Sequence, residues 1–163
     1  MATLNAIKTA WALDTAHSQI QFKVKHLAIS TVTGNFTVFE GNAESNGENF
    51  EDAKISFSTD VSSINTANEQ RDGHLKGADF FDAEKFPKIL FQSTSVTKKE
   101  EGLYDIKGNL TIKGISKAVT LQAEYSGTAK DPWGNTKAGF ELKGKINRKD
   151  WGLNWNAALE TGG

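Results

Sequence analysis

Apolar side chains recur at every second residue through most of this chain, and that period admits few folds. From Ser18 onward, Ile20, Phe22 and Val24 alternate with Gln19, Gln21, Lys23 and Lys25, the mark of a strand with one buried face. The alternation returns within 32–40 through Phe36 and Val38, then through Ala53, Ile55, Phe57, Thr59 and Val61, and again at Ile89 and Phe91 after Pro87. It continues along Tyr104, Ile106, Gly108, Leu110 and Ile112, along Val119, Leu121, Ala123 and Tyr125, and along Phe140, Leu142, Gly144 and Ile146. Turn-forming segments such as Asn46-Gly47, Glu101-Gly102 and Asp131-Pro132-Trp133-Gly134-Asn135 separate these runs, as antiparallel connections require. Seven or eight single-faced strands predict an all-β sandwich or barrel.

One stretch breaks the period. Thr66-Ala67-Asn68-Glu69 has the form of a capping box, and Arg71, His74 and Leu75 then share one helical face. Gly77 is placed to close that helix, and Asp79-Phe80-Phe81-Asp82 starts a further short turn that must end before Pro87. The spacing predicts a short helical insertion near residues 66–86. No repeat, linker or low-complexity tract divides the chain, so residues 1–163 read as one domain.

Composition removes several function classes. Nineteen basic and 20 acidic side chains, with a net charge of -1, argue against a nucleic-acid module, which carries a basic excess. The absence of cysteine excludes disulfide scaffolds, thiol nucleophiles and Cys-ligated zinc. The longest apolar run, Ala10-Trp11-Ala12-Leu13, falls far short of the ~20 residues of a membrane helix. The first residues, MATLNAIKT, lack the basic and apolar regions of a secretory leader. The expected location is therefore cytoplasmic, or periplasmic if a leader has been removed.

Few residues are equipped for chemistry. His17 and His26 flank one predicted strand at an odd spacing, so on a continuous strand they face opposite sides, ~30 Å apart, and share no metal. Asp14, His17 and Ser18 have the residue types of a hydrolytic triad but no nucleophile-elbow signature, and adjacent strand residues point apart. No metal site is expected. The chain has only two Arg, at positions 71 and 148; their planar five-donor forks suit either an Arg–Asp pin between helix and sheet or a polar clamp at a cavity mouth. A barrel of about eight strands is either packed solid or holds one small ligand, and alternation alone leaves both open.

An ordered series of motifs now adds a resemblance. Trp11-Ala12-Leu13-Asp14-Thr15-Ala16-His17-Ser18, Phe22-Lys23-Val24-Lys25-His26-Leu27 and Gly34-Asn35-Phe36 come first. Asn68-Glu69-Gln70-Arg71-Asp72-Gly73-His74-Leu75, Asp79-Phe80-Phe81-Asp82, Phe86-Pro87 and Phe91-Gln92-Ser93-Thr94 follow. Gly108-Asn109-Leu110-Thr111-Ile112-Lys113-Gly114, Asp131-Pro132-Trp133-Gly134 and Asn147-Arg148-Lys149-Asp150-Trp151-Gly152-Leu153 complete it. Together they resemble the YceI family nearly end to end. The resemblance implies a lipocalin-like antiparallel β-barrel, often dimeric, whose apolar pore binds polyisoprenoids and other long amphiphiles.

On that footing the expected activity is non-catalytic binding, carriage or sequestration of an isoprenoid lipid or quinone, with no cofactor beyond the bound lipid and a homodimer as the assembly. Combined with the alternation, Phe22, Val24, Phe36, Val38, Ile55, Phe57, Phe91 and Leu110 are the expected tail-lining residues. His26, Arg71, His74, Asn147 and Arg148 are the expected head-group residues. A solid-core interaction module is the alternative, followed by an enzyme acting on an amphiphile with His26 or His74 as its base. The resemblance also implies a final strand past the segment matching Glu160-Thr161-Gly162-Gly163: either it is absent, leaving an edge open to pairing with another chain, or, as expected, this sequence omits that tail.

Overall fold

In a computed structural model, described here for residues 8–26, 30–47 and 49–153, the alternating runs form two antiparallel sheets. Of Lys8, Lys25, His26 and Ser30 only the backbone is described. The strands are β1 (Lys8–Ala12), β2 (Ile20–His26), β3 (Ser30–Phe36), β4 (Phe39–Asn46), β5 (Asn49–Asp60), β6 (Ile64–Asn65), β7 (Lys88–Glu100), β8 (Leu103–Ile112), β9 (Ile115–Lys130) and β10 (Thr136–Lys143). Seven of them lie in the order β1-β4-β5-β7-β8-β9-β10, and β2-β3-β6 make the second sheet. The large sheet curls into a lipocalin-like half-barrel. An ion pair between Lys137 of β10 and Asp14, just after β1, joins its two edge strands at one corner.

Most predicted strands are present; one is cut in two. The run at 32–40 does not stay extended: the chain bends at Thr37 and Val38, leaving β3 in one sheet and β4 in the other. Thr37 N–H donates to Ser63 O, and Asp60 N–H donates to Val38 O. Because the bend interrupts the alternation, Val38 is 53% exposed and is corrected from tail-lining to surface. The expected final strand beyond Gly163 lies outside the described residues.

The helical insertion forms as α1 (Glu69–Lys76), but its cap differs from the expected one. Asn68 Oδ1 accepts the Arg71 N–H at 3.0 Å, so the capping residue is Asn68 rather than Thr66. Thr66 is held instead by Asp72, which takes its N–H at 3.0 Å and its hydroxyl. Gly77 ends the helix in an extended conformation, its N–H returning to His74 O.

Two apolar clusters fill the interior. The first gathers Phe36, Val61, Ile64, Leu75, Phe80, Ile89, Ile112, Trp151 and Leu153 beside α1. The second gathers Phe50, Ala53, Phe91, Val96, Tyr104, Ile106 and Ala123 toward the start of β8. Tyr104 and Ile112 stand eight residues apart on β8, roughly 26 Å, so the clusters occupy opposite ends. Half-buried Leu110 and Val119 touch both. At the waist, Gly108 gives room to Phe91: a Cβ there would lie 2.6 Å from the Phe91 ring and 2.5 Å from Gln92 O.

Candidate functional site

The inner faces of β9 and β10 carry an apolar strip that neither cluster fully covers. On β9 the register sets Ile115 opposite Ile112, Val119 opposite Gly108 and Leu121 opposite Ile106, all on the core side of the sheet, with exposed Lys117 opposite Leu110 interrupting the apolar series. On β10, Phe140 pairs with Tyr125 and Leu142 with the buried Ala123. Directly paired antiparallel residues share a face, so Leu142 and Phe140 point inward. Yet Ile115, Leu142 and Phe140 are 37%, 38% and 37% exposed. From Ile115 to Tyr125 the strip spans ten residues, about 33 Å.

The two ends of the strip differ. Near Ile115 lies the short 3-10 turn Arg148–Trp151 and its Gly152 cap. Trp151 is buried, and its Nε1–H donates to Leu110 O at 2.9 Å, fastening the turn over β8. Arg148 Nη1 donates to Leu153 O, and its guanidinium sits 5.8 Å from the Phe80 ring centroid, a cation–π distance. Partial burial lowers its pKa, but a guanidinium stays charged. Asn147 is exposed and caps the turn, accepting Lys149 N–H at 3.1 Å.

The other end is a knot of rings. Phe140, Tyr125, Trp11 and Tyr104 surround Phe50 at centroid distances of 4.8, 5.5, 5.6 and 6.5 Å. Polar pins hold their edges. Trp11 Nε1–H donates to Ser45 Oγ at 2.7 Å, Ser45 Oγ–H donates to Gly47 O at 2.7 Å, and Tyr125 Oη is hydrogen-bonded to Thr128 Oγ1. Lys137 and then His17 hold the Asp14 carboxyl well below the usual carboxylate range, while Asp14 raises the Lys137 pKa.

The sequence-derived residues separate accordingly. Phe22, Val24 and Phe36 belong to the first cluster and Ile55, Phe57 and Phe91 to the second, with Leu110 between them. Phe57 and Phe91 stack on each other at 4.9 Å and 18°. Arg71 and Arg148 both flank the first cluster, but Arg71 is occupied with Thr66: Nε donates to its Oγ1 and Nη2 to its carbonyl, each at 2.9 Å. The geometry thus ties the helix to the preceding strand through Arg71–Thr66 rather than through an Arg–Asp pair. His74, on α1, is half-buried at the same end. The backbone of His26 stands six residues along β2 from Ile20, whose partner Phe36 adjoins β6; its side chain lies outside the described residues. His17 is not on a strand but in the turn after β1, its Nδ1 2.9 Å from Asp14 Oδ2.

Ile115, Leu121, Phe140 and Leu142 were absent from the expected tail-lining set. The alternation does put Leu121, Phe140 and Leu142 on an inner face, but period two does not distinguish a covered inner face from an uncovered one. Elsewhere, a trough of about 600 Å³ lies against the outer face of the large sheet, where Asn42, Ser56, Gln92 and Asn109 form one register row. Its amides and hydroxyls do not suit a hydrocarbon tail. Among the described residues no cluster of His, Asp and Glu is placed to hold a metal ion, and no helix is long and apolar enough to cross a membrane.

Comparison with known proteins converges on one family. Residues 11–163 match the model of the YceI-like domain. A UPF0312 protein of Staphylococcus aureus strain N315 is 42% identical over 156 residues, covering 95% of this chain and 88% of its own. The crystal structure of a YceI protein from Campylobacter jejuni is 38% identical, with a TM-score of 0.74 over 91% of this chain and 88% of that one. A polyisoprenoid-binding domain from Saccharophagus degradans shares the fold at 17% identity, with a TM-score of 0.56 over 93% and 80% of the two chains.

Proposed function

The chain belongs to the YceI-like family, and from that premise we propose that it binds one long-chain amphiphile, an isoprenoid lipid or quinone, with its tail along the inner faces of β9 and β10. The observation that carries this reading is the half-exposed strip itself. Ile115, Val119, Leu121, Phe140 and Leu142 offer a largely apolar surface about 33 Å long on the inner side of a curled sheet, broken by Lys117 near its Ile115 end. Each methylene of a tail laid against such a surface contributes about 0.8 kcal/mol, so a tail alone supplies roughly micromolar binding or tighter.

The strip also gives the ligand a direction. Its Ile115 end lies beside Gly152, the cap of the turn that carries Arg148, a cation for a phosphate or carbonyl head group, and exposed Asn147. Its other end lies among rings. Hydrocarbon surface holds a tail but performs no bond chemistry, so the proposed role is carriage or sequestration. The shared fold with a polyisoprenoid-binding domain supports the ligand class.

Gentle purification, solvent extraction and mass spectrometry test the proposal; a long-chain amphiphile should co-purify in near-stoichiometric amount. Protein that is repeatedly empty, and whose tryptophan fluorescence ignores added geranylgeraniol, would contradict it. That result would favour a second reading drawn from the Phe57–Phe91 stack: a barrel packed solid at its waist, serving as an interaction module.

A further inference from the structure

We infer that the ring cluster around Phe50 is an end stop that sets how long a tail the strip accepts, an inference that rests on reading the strip as a tail site. The rings come from five strands: Trp11 from β1, Phe50 from β5, Tyr104 from β8, Tyr125 from β9 and Phe140 from β10. Phe140 and Tyr125 are also the last members of the strip, paired across β9 and β10. A tail that starts beside Arg148 and runs down these strands therefore meets the ring cluster.

The rings are braced against being pushed aside. Swinging Trp11 away breaks its bond to Ser45, and moving Tyr125 breaks its bond to Thr128. Phe140 follows the register shift at Gly139, and the strand carrying it is fastened to the β1 corner by the Lys137–Asp14 ion pair. The far end also holds rings, among them Phe80 and Trp151, but there a guanidinium lies over Phe80 and Asn147 is exposed beside it. The braced rings thus bound the strip at its Phe140 end, away from the guanidinium. Each buried methylene raises affinity about fourfold, so affinity climbs with tail length until the tip reaches the rings, and then stops climbing.

The test measures affinity for a series of all-trans prenols from farnesol to solanesol, by tryptophan fluorescence, on wild-type protein, Phe140→Ala and Phe50→Leu. Phe140 is partly exposed, so its truncation opens the stop with the least disturbance to folding; Phe50→Leu loosens the buried centre. Wild type should show a break in the rise of affinity with length. Both variants should move that break to longer prenols by at least one isoprene unit, with a tenfold or greater gain for the first prenol beyond the wild-type limit. Prenols that bind wild type with no break, or with a break that neither variant moves, overturn the end stop and leave the tail site standing. Wild type that binds no prenol of any length overturns both.

Discussion

The two ends of the half-barrel bury comparable apolar cores and finish them in opposite ways. At the Phe50 end, five aromatic rings pack together, with the Trp11 indole bonded to buried Ser45 and the Tyr125 hydroxyl to Thr128. At the α1 end, Leu75, Phe80 and Trp151 lie under a cover of polar groups: Arg148 across the Phe80 ring, Arg71 and Asp72 on Thr66, and Asn68 and Asn147 as caps. On the proposed reading an amphiphile lying between them sets its head group at the α1 end, and the difference can be attacked from either side.

The largest effects should come from the centres of the two cores. Phe50→Ala and Trp151→Ala each remove a buried ring, with an expected loss of about 3–5 kcal/mol in denaturant unfolding. Trp151→Ala also removes the indole donor to the Leu110 carbonyl. Equal losses would indicate that the ends carry equal weight; a small loss at either would show that its cluster is loosely packed. At the waist, Gly108→Ala forces a methyl group against Gln92 O and the Phe91 ring, and about 1–3 kcal/mol of destabilisation is expected from the overpacking.

Smaller effects separate the pins from the caps. Ser45→Ala removes the acceptor of the Trp11 indole and should cost about 1 kcal/mol, accompanied by a change in tryptophan emission. Asn68→Ala removes the helix cap and should cost a similar amount, about 1 kcal/mol, with little change in emission. The smallest effect concerns the corner joining β1 to β10. Because the Asp14 carboxyl is held below its ordinary range by Lys137 and His17, its contribution is full above that range and is lost as pH falls through the lowered value. Asp14→Asn should therefore unfold more easily near neutral pH, and the gap to wild type should begin to narrow below about pH 4 and keep narrowing as the pH falls further. A gap independent of pH would remove the ion pair from the account.

Much of this architecture was legible because period two is a strong signal. β5, β7, β8, β9 and β10 follow from the alternation, and the helical insertion from its interruption at 66–86. The failures have local causes. Val38 fits the alternation of its neighbours, but the chain changes sheets at Thr37–Val38, and the backbone bonds that fix that bend come from Asp60 and Ser63, more than 20 residues away in sequence. Thr66 has a capping-box spacing, but Asp72 and Arg71 claim its polar atoms, leaving Asn68 as the cap. The candidate site was half legible. Leu121 and Leu142 read as inward-facing, but their partial exposure depends on how far the sheet curls, which no short-range pattern encodes.

Binding of geranylgeraniol to wild-type protein and to Leu142→Asp, measured side by side with their melting temperatures, tests the central claim most directly. Leu142 is partly exposed, so the fold should tolerate a carboxylate there, while a tail lying on the strip cannot. The expected result is roughly micromolar or tighter binding by wild type and a loss of tenfold or more in Leu142→Asp at nearly unchanged stability. Equal affinity in the two proteins would contradict the account and move the ligand off the β9–β10 face.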